Sequence, residues 1–184
     1  MDTMDTILMD KMLINKNEIT IAKQNKTDYM LTFTIENAAI HLINMVNPNL
    51  IKLIYDLNVD FFDKISIEKI NECESNIFLL VKDLFGDIGL SQYYFYFHIT
   101  HSPTDQQFII TPLCANESIT KNLECIDLKK CIMQYSLVNP HQIEFKARVN
   151  TEEELESPII EKIICNIIYK IFNRVKQFVF TIRI

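Results

Sequence analysis

The chain has 184 residues, 48% of them hydrophobic and 23% charged, with a formal net charge of −6. That length and apolar content exclude bulk disorder and allow one domain whose core needs neither disulfides nor a metal. Only two glycines occur, Gly86 and Gly89, which excludes the glycine-dependent phosphate loops, dinucleotide turns and nucleophile elbows, because such loops need backbone that approaches a ligand closely or takes positive φ.

Residues 1–11 read as a flexible N-terminal arm and residues 12–184 as a single globular domain. A hairpin comes first: 18–23 alternate, 24–28 turn, and Tyr29, Leu31, Phe33 and Ile35 line one face of the returning strand. Asn37 is placed to cap a helix from Ala38 that Pro48 ends, and a second helix covers Asn49 to about Leu57. The spacing of Ile70, Cys73, Ile77, Leu80, Val81, Leu84 and Phe85 predicts a third helix, which Gly86 would stop as a left-handed C-terminal residue.

An antiparallel meander follows. Tyr93, Phe95, Phe97 and Ile99 alternate with Tyr94, Tyr96, His98 and Thr100; the chain turns at 102–105 and returns over 108–111. Residues 114–130 are polar and carry no clear period. Strands are expected at 132–138 and 143–149 around an Asn139-Pro140-His141 turn. Ser157-Pro158 is a favoured helix start, with serine as cap and proline in the first turn. From Ile159 to Val175 an isoleucine-rich stripe lies opposite Lys162, Lys170 and Arg174, and alternation from Phe178 to Ile184 predicts a terminal strand. The fold class is therefore α+β: a mainly antiparallel sheet, built from an N-terminal hairpin and a four-strand meander, packed by early helices and a long amphipathic C-terminal helix.

Candidate chemistry is sparse. His98 and His101 form the one close histidine pair, weak candidates for a metal, but residues three apart on a strand face opposite ways. Cys125 and Cys131 flank Lys129 and Lys130, a setting that lowers a thiol pKa. The five cysteines are irregularly spaced and read as free thiols of a reducing compartment. No catalytic residue and no cofactor are expected, and an enzyme is the third-ranked reading. The aromatic strand lacks any Lys or Arg between Lys82 and Lys121, which argues against nucleic acid. No stretch reaches the roughly 18 uncharged apolar residues of a spanning helix, and no basic, apolar leader precedes the domain, so no membrane partner and a cytoplasmic location are expected. Abundant Ile, Asn and Lys with three Arg and no Trp read as the codon bias of an A/T-rich genome, as in some large DNA viruses and protists.

The first reading is a non-catalytic interaction or structural assembly protein, binding a protein partner or itself. Its surfaces would include Tyr94, Tyr96, Lys162, Lys170, Arg174, Val179 and Arg183, with the terminal strand free to pair with another chain. The alternative comes from the element order, which resembles helix-grip lipid-binding domains but has three early helices, few meander strands and a terminal strand. That resemblance implies an apolar pocket between the sheet and the long helix.

Overall fold

The computed structural model describes residues 11–83, 91–114, 123–125, 129–151, 154–155 and 157–183. The glycine pair, and with it the expected helix stop at Gly86, lies outside the described residues, as do residues 1–10. Among the described residues ten strands form one sheet: β1 (Lys11–Lys16), β2 (Ile19–Lys23), β3 (Asp28–Glu36), β4 (Phe62–Lys69), β5 (Glu74–Val81), β6 (Gln92–Ser102), β7 (Gln107–Pro112), β8 (Leu123–Cys125), β9 (Cys131–Asn139) and β10 (Gln142–Asn150). A 3-10 turn (Leu42–Met45), a short helix α1 (Asn49–Asp56) and the 24-residue helix α2 (Pro158–Thr181) complete the fold. The α+β class, the mainly antiparallel sheet and the long C-terminal helix are as the sequence implies.

The spatial order is β1-β2-β3-β10-β9-β7-β6-β5-β4, with β8 pairing β6 in parallel beside the end that β7 does not reach. The N-terminal strands therefore join the rest through β3 and β10, which run antiparallel from Asp28↔Asn150 to Glu36↔Gln142. Register puts one set of side chains on a common inner face: His101, Phe108, Met133, Ala147, Leu31 and Ile21 form one row across six strands. Tyr135, Phe145, Phe33 and Ile19 form the next row. Helix α2 packs over β1, β2, β3 and α1, so its stripe buries Cys165, Val175 and Val179 against that face.

Three segments differ from the sequence expectation. Residues 62–81 are the hairpin β4–β5, not a helix. Both faces of β5 are apolar, since Ile77 and Leu79 face the interior while Phe78 meets Tyr94 and Tyr96 outside, and a strand apolar on both faces loses its period of two. Asn37 starts no α-helix: its Oδ1 accepts from the backbone of Ala39 and Ile40 in a turn, and only one 3-10 turn follows before α1. Residues 178–181 continue α2 rather than forming a terminal strand, with Val179 fully buried and Phe178 and Phe180 exposed. The helix start is as read, with the Ser157 side chain accepting from Ile159 N and proline in the first turn.

Tight turns here work without glycine. Asn17 and Glu18 between β1 and β2 both have positive φ, 53° and 57°, the left-handed pair that a two-residue hairpin requires. Asn is tolerated there while Glu is unusual, and the turn is tied down by α2: the Asn17 amide donates to the Tyr169 hydroxyl at 2.8 Å, and Lys176 pairs with Glu18 at 2.8 Å.

Candidate functional site

The inner face and α2 enclose the site. Under the C-terminal half of the helix the space is almost filled: a gap of about 10 Å³ remains between Phe33, Ile35, Leu50, Ile54, Met133, Phe145, Phe172 and Val175. That is roughly room for one water. Phe33 fills most of it, stacked on Phe145 (centroids 4.8 Å, planes 7° apart) and tilted against Phe172 at 4.5 Å. Beyond the strands that α2 packs on, the same inner face continues onto β4–β7. There Ile65, Leu79, Phe97 and Ile110 pack against the core yet stay half-buried.

Each part of α2 is fastened by polar groups. Near its start Glu161 is 5% exposed and accepts from Lys23 Nζ at 2.7 Å and from the Tyr29 hydroxyl at 2.8 Å, with Lys11 at 3.8 Å from its other oxygen. Burial alone would raise its pKa, but the Lys23 and Tyr29 bonds outweigh that and hold the carboxyl below its ordinary range. The same contact raises the Lys23 pKa, while burial first and Glu161 second push the Tyr29 hydroxyl up to about 12. Further along, Arg174 meets both carboxylate oxygens of Asp60, bonds the fully buried Asn58, and lies 5.1 Å over the Phe61 ring. At the end, the buried Asn37 amide donates to the carbonyls of Val179 and Ile182.

The interior is not uniformly apolar. His101, 7% exposed, stacks on Phe108 at 4.4 Å, and its Nε2 lies 3.0 Å from the hydroxyl of the buried Tyr135. Burial lowers the His101 pKa, so the ring is held neutral. His98 faces the other side of β6, 3.0 Å from Asn76 Oδ1, and the two histidines do not converge. Among the described residues no group of three metal-ligating side chains occurs.

The expected partner surface is scattered. Tyr94 is buried and Tyr96 half-buried against Phe78 on the outer face. Lys162, Lys170 and Arg183 are exposed. Arg174 is engaged with Asp60, and Val179 lies in the core. Cys131 is buried, which pushes its thiol up to about 11, the opposite of the activation that its neighbouring lysines imply. Nothing in the sequence joins Glu161 to Lys23 and Tyr29, because Glu161 reads as an ordinary first-turn acid of a helix.

No family model and no curated protein matches the chain by sequence. By structure it is similar to the human StAR-related lipid transfer protein 5 (TM-score 0.68, 10% identity, covering 96% of this chain and 88% of that one). It is also similar to the lipid transfer and protein localization domain of human StarD13 (0.66, 8%, 90% and 88%). A third neighbour is the StAR-related lipid transfer protein fragment from Xanthomonas axonopodis (0.60, 10%, 92% and 98%). The chain thus has the fold of these lipid-transfer domains. The expectation of a structural or assembly protein is corrected on this finding, and the terminal strand on which self-pairing rested is the last turns of α2. The viral attribution likewise has no support among these human and bacterial neighbours. Among the described residues no helix is long and apolar enough to cross a membrane.

Proposed function

We propose that the protein binds an apolar, lipid-like molecule between α2 and the inner face of its sheet. The observation that carries this reading is the continuation of the apolar inner face onto β4–β7, where Ile65, Leu79, Phe97 and Ile110 remain half-buried beyond the strands that α2 packs on. Concave apolar surface bounded by a few fixed polar groups is the usual form of a small-molecule site. The lipid transfer named for the structural neighbours supports the same reading. The filled gap at Phe33 and Phe172 supports a site on the β4–β7 side, with deeper entry requiring those rings to move.

The test is direct. The purified protein is titrated with diphenylhexatriene, an apolar dye that brightens when shielded from water, and in parallel extracted with organic solvent for mass spectrometry. Saturable dye binding near one equivalent, competed by extracted lipid, is expected; absence of saturable binding would sink the reading.

A further inference from the structure

The His101–Tyr135 pair has a hydrogen-bonding capacity that its mutual contact does not use up. If the Tyr135 hydroxyl donates to Nε2, the ring proton sits on Nδ1 and that N–H has no described partner. If Nε2–H donates instead, the phenolic O–H is left over. In either tautomer one donor and one acceptor stay unused, on two side chains that are both more than nine-tenths buried. Polar groups set in an apolar interior normally meet protein, water or a ligand, so this spare capacity is open to a partner. Ser75, 3% exposed and opposite Ile99 on the same face, adds an uncharged hydroxyl with no described bond.

These groups lie where the proposed ligand would end. His101 follows Phe97 and Ile99 along the inner face of β6, and Phe108 beneath it is two residues from Ile110 on β7. Among the described residues, Lys69 and Lys23 on the inner face are already paired and so unavailable to an ionic headgroup. Lys69, opposite Ser75, is exposed and paired with Glu72 at 2.7 Å, and Lys23 is bonded to Glu161. Burial keeps His101 neutral.

We infer that the ligand is an apolar molecule with one uncharged hydroxyl or carbonyl group, which docks on the unused donor and acceptor of the His101–Tyr135 pair. The inference rests on the apolar-ligand reading and adds the chemistry of the ligand's polar end. A neutral hydroxyl both donates and accepts, so it matches either tautomer. A carboxylate offers acceptors alone and would be desolvated without a cation to meet it.

Three probes separate the possibilities: diphenylhexatriene, which has no polar group, and retinol and retinoate, which share one skeleton and differ in hydroxyl against carboxylate. The protein should bind retinol about tenfold more tightly than retinoate. Tyr135→Phe should lower retinol affinity about fivefold while leaving diphenylhexatriene within about twofold, as expected for one buried hydrogen bond. His101→Leu, which removes both the donor and the acceptor, should abolish the preference for retinol even if Tyr135→Phe folds poorly. Equal affinity for retinol and retinoate, or a retinol affinity indifferent to both substitutions, would assign the pair to a buried water or to the core and overturn the inference while diphenylhexatriene still binds. Failure of diphenylhexatriene to bind would overturn the apolar-ligand reading, and this inference with it.

Discussion

The Asn37 side-chain amide donates to the carbonyl of Val179 at 2.5 Å, joining the end of β3 to the last turn of α2 across 142 residues of sequence. A second bond, to Ile182 O at 2.9 Å, satisfies another of the carbonyls that a helix end leaves without intrahelical partners. His141 backs this clamp, its Nδ1–H donating to Ile40 O at 2.9 Å while its own carbonyl accepts from Asn37 N. Asn37→Ala removes both amide bonds and the turn contacts to Ala39 and Ile40, and should cost about 2–4 kcal/mol of stability by urea denaturation. An unchanged denaturation midpoint would show that the helix end is held by packing alone.

The Glu161 cluster sets a pH dependence. A carboxyl whose folded pKa lies below its unfolded value contributes stability that is full above the unfolded pKa, about 4.3, and lost as pH falls through the folded one. At pH 7 Glu161→Gln should therefore lower stability by about 2 kcal/mol, because Lys23 loses its charged partner. Below about pH 4 the wild type loses this advantage and the two melting temperatures should converge. Parallel curves down to pH 3 would contradict the assignment.

Phe172 is the ring that closes the helix onto the sheet. Phe172→Ala should cost about 3 kcal/mol and leave an apolar cavity beside Phe33. If the ligand reaches under α2, diphenylhexatriene should bind this variant more tightly than the wild type. Weaker dye binding in a folded Phe172→Ala protein would place the ring in the ligand contact itself.

The thiols divide by burial. Cys131 and Cys165 have pKa values pushed up to about 11, chiefly by burial, whereas Cys114 and Cys125 are exposed. Iodoacetamide at pH 8 should alkylate Cys114 and Cys125 first and reach Cys131 and Cys165 only on unfolding. Native-state labelling of Cys131, read by peptide mass spectrometry, would contradict its placement in the interior.

Much of the sheet was legible because β3 and β10 each bury one face, and their alternation survives in the residues. β5 was not, since Phe78 and Leu80 are apolar on the outer face too. Its turn with β4 is also made without glycine or proline: Asn71 Oδ1 accepts from Cys73 N. The end of α2 misled for a different reason. Exposed Phe178 and Phe180 around buried Val179 imitate a strand, and nothing local reports that the exposed pair faces outward on a helix. The site was the least legible part. His101 and Tyr135 are 34 residues apart, and Tyr29 and Glu161 are 132 apart, so only strand register and the path of α2 bring them together.

The pairing of β3 with β10 also bears on how the protein is made. Asp28 bonds Asn150, 122 residues later, so the first three strands have no sheet partner on that side until nearly the whole domain has left the ribosome. At about 5–20 residues per second the apolar face of β2 and β3 waits roughly ten seconds for β10, and longer for the helix that covers it. During synthesis this apolar face stays open until β10 and α2 emerge, and a truncation that removes α2 would leave it uncovered.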